Sequence, residues 1–578
     1  MSAPAASLRI GSLGEKTIGQ RLGFEDYLRR FLFVIIGVSL VLFMIYPLFR
    51  LLIRSLENRM GEFVGLENYI IYFSSSVNRA SLTNSLNISL QSMVICVLLA
   101  FIYAYGLSRL PIIGRRIFQM IAMLPIFIPS LVQAIAFIYI FGNNGIFTRT
   151  TGINIGIYGA NGIVMSEVFY AFPHAFIILS TALSLADARL YEAAEALRTK
   201  GVRMFFTITL PMVKFGIMSA CFVVFTLAIT DFGAPKVVGG DYNVLATDIY
   251  NKVIGQQNFE MGATISTLLL IPAALAFILD RIVQRRQVAM ISSGIKPLSP
   301  KKHQSLAQII VYAVIALVTV YIIGVYFTVL VGAFTNFWPY DMSFTLKNFT
   351  FYVAGAHHRF GAVHVLWNSV QMAFLTAVFG TIFVFGSAYL IEKTRNLNVS
   401  RSLLYLLSIM PLSIPGMVLG LSYIFVFNQP GSPLYAIYGT MAILVINTII
   451  HYYTVPFLTA TTALKQLDKE FEAIGESLEA PFYRTFMKIT VPVALPAIIQ
   501  IASYLFLNAM VTISAVVFLF VPGKELAALS VMLLDDAARS GQAMALSLLI
   551  IVVGFTTRGL FYLMMRGAQK KTQEWTTG

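Results

Sequence analysis

Few side chains in this sequence are placed to do chemistry, and the most conspicuous are acids set in apolar surroundings. Glu167 lies in Ile163-Val164-Met165-Ser166-Glu167-Val168-Phe169, and Asp231 follows Phe225-Thr226-Leu227-Ala228-Ile229-Thr230. An ionisable group in such a run is costly unless a function or a partner holds it. Asn508 and Thr512 stand at the corresponding place later in the chain and offer neutral polar groups instead. Such a set attracts and guides charge; it does not make bonds. Two acids would draw in a cation or the ammonium of a zwitterion. The plainer alternative is that they cap helix ends or pair with a neighbour such as Lys236. Bond-making machinery is not evident. No Gly-x-x-x-x-Gly-Lys-Ser/Thr occurs, and Gly523-Lys524 runs into Glu525, so no phosphate-cradling loop is encoded. Cys96 and Cys221 sit in apolar segments, and His357, His358 and His364 read as solvated loop histidines. No catalytic residue, metal site or cofactor is expected.

The elements that must position these groups follow from composition. Only 12% of the 578 residues are charged and 58% are hydrophobic, with a mean hydropathy of +0.78. A soluble domain carries roughly 25% charged residues, so this chain cannot coat a soluble surface, and a polytopic membrane protein is expected. About 20 apolar residues make one crossing. Twelve candidate spans start near Phe31, Asn84, Ile117, Asn161, Phe215, Glu260, Leu306, Asn368, Ser402, Tyr435, Ala494 and Gly541. The net charge of +15 is then read as the inward bias of Lys and Arg, not as nucleic-acid binding. With the N-terminus inside, inner segments hold 29 Lys/Arg and outer segments 9, which predicts N-in and C-in. The chain is polar up to Arg30, too long and hydrophilic for a cleaved signal peptide.

The two halves repeat. Asn84-Ser85 returns as Asn368-Ser369, and Leu124-Pro125-Ile126-Phe127-Ile128-Pro129 as Met410-Pro411-Leu412-Ser413-Ile414-Pro415. Thr181-Ala182-Leu183 returns as Thr462-Ala463-Leu464, and Ile208-Thr209-Leu210-Pro211 as Ile489-Thr490-Val491-Pro492, both 281 residues on. Six spans per half give parallel repeats related by an axis along the membrane normal, with a pathway between them. The expected fold is an all-α membrane protein of twelve transmembrane helices in two six-helix repeats. Its parts are a cytoplasmic tail (1–30), a first half (31–281), a cytoplasmic linker (282–305), a second half (306–566) and a cytoplasmic tail (567–578). Pro125, Pro129, Pro411 and Pro415 are expected to kink the third span of each half.

Two long inner loops follow the fourth span of each half. The first contains Glu192-Ala193-Ala194, Arg198, Gly201 and Ile208-x-Leu210-Pro211; the second contains Glu472, Ala473, Gly475, Glu479, Pro481 and Pro492. Each begins with good helix formers, breaks at Gly201 or Pro481, and continues as an amphipathic helix into the membrane. A duplicated element of this kind suits docking to a two-fold soluble partner better than resting on lipid. These loops resemble the EAA loops of permease subunits of type I ABC importers. The resemblance covers essentially the whole chain and is greatest for fused permeases of the 2-aminoethylphosphonate and ferric-iron group. In the family pattern a Gly follows six positions after the Glu. Here Arg198 occupies that position in the first loop. In the second, Ala473-Ile474-Gly475 falls on the triplet, Glu472 lies one residue early, and Glu479 takes the Gly position.

The resemblance implies a permease that forms the translocation pathway of a binding-protein-dependent importer. Two separate ATP-binding subunits, as a homodimer, would hydrolyse ATP on the inner side. Each would receive one loop as a coupling helix built around Glu192, Ala193, Ala194, Arg198, Gly201, Glu472, Ala473, Gly475, Glu479 and Pro481. A soluble substrate-binding protein would dock outside the inner membrane. Glu167, Asp231, Asn508 and Thr512 are the expected pathway residues. The stretch Asp231-Phe232-Gly233-Ala234-Pro235-Lys236 through Thr247 favours 2-aminoethylphosphonate as solute, with ferric iron as the alternative. A secondary transporter of major-facilitator type, also built of twelve spans, is the competing class.

Overall fold

The computed structural model describes residues 23–199, 201–289, 306–350, 361–394, 398–467, 477 and 480–577. Among these, nine helices are long and apolar enough to cross a bilayer, and three bent helix pairs bring the number to as many as twelve. The first half contributes Tyr27–Arg54, Ser76–Arg109, Ser130–Thr151, Ala160–Ser184, Gly201–Thr230 and Phe259–Gln284. The second contributes Gln308–Phe334, Gly361–Lys393 and Ser540–Lys570 with three bent pairs between them. Those pairs are Asn398–Ser413 with Gly416–Phe427, Met441–His451 with Thr454–Gln466, and Phe482–Val493 with Leu495–Val511. The expectation of a purely helical chain needs one amendment. Thr335–Phe337 and Asp341–Phe344 pair as a short antiparallel hairpin after the seventh span. The expected linker lies largely outside the described residues.

The prolines do more than kink. Helix Arg115–Met123 ends in a tight 3-10 turn at Leu124–Phe127, and a new helix starts at Ser130. Met410–Ser413 makes the same turn in the second half, where the two helices meet at 111°. Pro125, Pro129, Pro411 and Pro415 lack the N–H that would continue the ladder, so the chain closes short bonds such as Ile414 N–H to Pro411 O (3.1 Å) and starts again.

Irregularities repeat as faithfully as helices. A widened π-turn spans Phe205–Thr209 in the first half and Phe486–Thr490 in the second, 281 residues apart. The Asn-Ser pairs of the sequence repeat have a structural duty. Asn84 donates to Asn243 O (3.0 Å), and Ser85 accepts from the Leu245 N–H (2.8 Å). Asn368 donates to Glu525 O (3.1 Å), and Ser369 accepts from the Ala527 N–H (2.7 Å). Each pair pins the loop after its half's fifth span to its second span.

The halves are interlocked by exchange of their first spans. Tyr27–Arg54 packs on the third span of the second half, and Gln308–Phe334 on that of the first. Phenols fasten this exchange: Tyr423 donates to Phe43 O (2.7 Å), Tyr321 to Met165 O (2.6 Å) and Tyr326 to Leu124 O (2.6 Å). Large side chains such as Val94, Leu275, Leu317 and Phe379 remain exposed on the flanks, as lipid-facing surfaces require.

Candidate functional site

The fifth span of each half ends where its chain leaves helical geometry. Asp231 follows helix Leu210–Thr230 in extended conformation, and Thr512 follows Leu495–Val511 in the same way. The loops beyond them meet the start of the third span's second helix at very short range. A Cβ on Gly233 would lie 2.4 Å from Ser130 Oγ, and one on Gly416 would lie 2.6 Å from Ser514 Oγ. Ser130–Gly233 and Gly416–Ser514 are the same crossing with glycine and serine exchanged between partners. Only one side chain fits each crossing, and the two halves have placed it on opposite strands of the contact.

Two cavities flank these crossings, of about 200 and 60 Å³. Tyr170, His174, Asp231, Tyr452, Asn508 and Ser514 line both, so they form the partition between them. The partition is drawn from both halves. Tyr170 and His174 come from the fourth span and Asp231 from the end of the fifth. Tyr452 sits at the 58° break of the tenth span, and Asn508 and Ser514 lie on and just beyond the eleventh. Tyr504 and His451 line the larger cavity alone. The Tyr452 ring stands 6.4 Å from Tyr504 and 4.5 Å from His451, and Tyr170 stands 6.2 Å from His174.

Asp231 accepts from Ser130 Oγ (2.7 Å) and from the Ala234 N–H (2.9 Å), which fixes its carboxylate toward the partition. Glu167 faces Asp231 from the fourth span. It is fully buried, and its carboxyl meets that of Asp231. Glu167 stands beside Asp231 without lining either cavity. Lys236 does not pair with Asp231. Its ammonium is 3.3 Å from Asp536 and lies over the Tyr250 ring. Among the described residues, no lysine or arginine charge acts on either acid. Asn508 donates to Tyr504 O (2.8 Å), and Thr512 lines the smaller cavity beside the Tyr452 phenol. The four residues expected from sequence thus gather in one region, though Glu167 does not line either cavity.

The first long loop forms helix Ala188–Ala196, with the Asp187 side chain accepting from the Arg189 N–H (3.0 Å) at its start. Glu192 and Ala193 are exposed and Ala194 is buried. The sequence places the break at Gly201, but the helix ends earlier. Arg198 takes a left-handed backbone (φ 53°), with its N–H to Glu195 O (2.8 Å) and the Thr199 N–H to Ala194 O (2.9 Å). This is a Schellman ending, which glycine fills without strain. The backbone so explains why a glycine suits the position that Arg198 holds. Gly201 is exposed and opens the next helix, Gly201–Met204. Glu472, Ala473, Gly475 and Glu479 lie outside the described residues. Pro481 precedes helix Phe482–Thr485, whose first N–H donates to Glu25 (3.2 Å) while Arg29 lies over the Phe482 ring.

Several positioning residues escape sequence reasoning. Tyr191 bonds Thr209 (2.9 Å) and receives Arg109 (3.2 Å), tying the loop helix to the spans beneath it. Tyr170, His174, Tyr452 and Tyr504 read in the sequence as ordinary residues of apolar helices. Their only signal was a polar tip inside a span. Among the described residues, no three His, Cys, Asp or Glu converge as a metal site.

Comparison with known proteins agrees with this architecture. The profile described as "Binding-protein-dependent transport system inner membrane component" matches residues 96–289. The chain is 28% identical over 493 residues to a putative ferric transport system permease protein, FbpB 1, of Haemophilus influenzae, covering 82% of this chain and 76% of that one. It is 27% identical over 527 residues to the ferric transport system permease protein FbpB of Actinobacillus pleuropneumoniae, covering 88% and 74%. The spermidine/putrescine transport system permease protein PotB of Haemophilus influenzae matches over 257 residues at 25% identity, which is 89% of its length but 42% of this chain. One repeat thus corresponds to a whole relative. The phosphonate solute expected from the Asp231–Thr247 stretch finds no support in these relatives, and the secondary-transporter class gives way to the profile match. Profile, relatives aligned over most of both chains and duplicated helical bundle agree: this multi-pass inner-membrane chain is similar to the permease subunits of binding-protein-dependent ABC importers, with two such halves in one polypeptide.

Proposed function

We propose that the chain forms the translocation pathway of a ferric-iron importer. The observation that carries this reading is the pair of ferric permease relatives that align across both halves. The acid pair Glu167–Asp231, with no cation of the protein beside it, suits a positively charged solute. The charge count places the loop that holds Glu192, Ala193, Ala194, Arg198 and Gly201 on the cytoplasmic side. There it would seat in a cleft of an ATP-binding subunit. The second loop, with Glu472, Ala473, Gly475, Glu479 and Pro481, would seat in another. Asp231, Asn508 and Thr512 would line the pathway and Glu167 would support Asp231. A soluble ferric-binding protein would deliver the ion from outside.

The loop helix is anchored through Tyr191 to Thr209 at the foot of the fifth span, and that span ends at Asp231. Movement of the helix by closing ATPase subunits would therefore pull on the rod that carries the acid. Reconstitution in proteoliposomes with both partners tests this. ATP-dependent accumulation of iron from the ferric-loaded binding protein is expected, with no accumulation without ATP. Glu192→Lys combined with Glu472→Lys should leave membrane insertion intact but abolish the coupling of ATP hydrolysis to uptake. Normal uptake by that double variant would exclude the docking role, and uptake of a phosphonate but not of iron would exclude the solute.

A further inference from the structure

We infer that the partition between the two cavities is a transit site for a trivalent metal ion, with Asp231 and the phenols of Tyr170 and Tyr452 as its oxygen ligands. This rests on the ferric reading above and gives it a place in the molecule. A small, highly charged cation prefers hard oxygen donors, and carboxylate and phenolate are the hardest that protein side chains provide. Both kinds meet here: Asp231, Tyr170 of the first half and Tyr452 of the second line the same two cavities.

Two observations aim the site at a cation. Asp231 is held by Ser130 and the Ala234 N–H, one donor to each oxygen, and still lines both cavities. Against it, Glu167 is a wholly buried acid whose carboxyl meets that of Asp231, with no lysine or arginine charge beside the pair. Two facing acids without a counter-charge are unfavourable in a dry interior, and an ion in the partition relieves them. When a phenol oxygen binds the ion its proton must leave, and water in the larger cavity takes it up. The O–H bond breaks, the metal–oxygen bond forms, and no electron moves, so the ion stays ferric.

The ligand set is incomplete, as transit requires. A pathway site must bind strongly enough to admit the ion and weakly enough to release it. Three protein oxygens leave the remaining positions to water and to the Asn508 carbonyl, and the larger cavity, about 200 Å³, has room for several waters. A full cage would trap the ion.

The test uses the whole permease in nanodiscs, titrated with ferric nitrilotriacetate, and the same protein with its ATPase and binding-protein partners in proteoliposomes. Ferric phenolates absorb in the visible. A visible band is expected for the wild type, weakened by Tyr170→Phe or Tyr452→Phe and lost in the double variant. Loss of one ligand should reduce ion affinity by roughly 10- to 100-fold. Asp231→Asn, which preserves shape, should lower iron uptake by at least about tenfold while leaving ATP hydrolysis responsive to the binding protein. That last readout separates a lost site from a misfolded one. If the wild type takes up iron but shows no band and the variants transport normally, the site is wrong and the ferric reading stands. If the wild type takes up no iron, both fall together.

Discussion

The two halves share their scaffold and differ in their pathway lining. Positions 281 residues apart have the same backbone role at the π-turns, the 3-10 turns keep an offset of 286, and the Asn-Ser clamps bind the same loops in both halves. At the acid pair the equivalence stops. Glu167 corresponds to Thr448, and Asp231 to Thr512, so both carboxyls of the first half face hydroxyls in the second. Tyr170 corresponds to His451, and His174 to Val455. Duplication preserved what holds a half together and released what touches the passage. The tenth span adds a further difference: it breaks by 58° after His451, while its counterpart Ala160–Ser184 runs through Pro173 as one helix. That break delivers Tyr452 to the partition.

The comparison can be broken most sharply by removing its asymmetry. Glu167→Thr with Asp231→Thr gives the first half the neutral pair of the second. Iron uptake is expected to fall by two orders of magnitude or more, while stability in detergent falls only by what the two Asp231 hydrogen bonds contribute, about 1–3 kcal/mol. Retained uptake would mean that the acids are structural.

The glycine–serine crossings should respond alike in both halves. Gly233→Ala and Gly416→Ala each place a methyl group within 3 Å of a serine oxygen, at about 1–3 kcal/mol of overpacking. Ser514→Gly should recover part of the loss in Gly416→Ala, the Ala515 backbone N at 3.0 Å keeping the rest. Ser130→Gly should recover less of it in Gly233→Ala, because Ser130 also donates to Asp231. Equal recovery would deny that hydroxyl its role.

A smaller effect follows from Asp535, in the loop region of the second half only. Burial pushes its carboxyl up to about 6, with the Asp536 charge adding to the rise and Ser540 and Lys236 opposing it. The folded state holds this proton more tightly than the unfolded one, so stability falls as pH rises from about 4 through 6. Asp535→Asn should therefore melt higher than wild type at pH 7.5, and the advantage should vanish below about pH 4. Melting curves across that range check the sign. The smallest effect belongs to Arg198→Gly, which removes left-handed strain of about 1–2 kcal/mol at the loop-helix end. Opening the unfolded chain offsets part of it.

Much of this was legible in the residues themselves. Twelve apolar segments, their doubling, the loop motif and two acids within spans can all be read from a linear string, because helix periodicity, charge bias and repeats are local or periodic properties. Pro125, Pro129, Pro411 and Pro415 announced an interruption but not its size. Whether a proline bends a helix or ends it depends on what the neighbouring spans can cover. The hairpin after the seventh span was missed because Thr335–Phe344 has no strand alternation beyond a few residues.

Sequence alone determined the class, the duplication and the presence of acids that a bilayer does not tolerate without cause. Only the tertiary structure decided which groups meet. It set Glu167 beside Asp231, 64 positions away, exchanged the first spans between halves, and brought Tyr170, His174, Tyr452 and Asn508 to one partition. The reason is physical. Apolar burial selects a face of each helix but not its partner, whereas crossing angle, break position and close glycine contacts fix which polar tips converge.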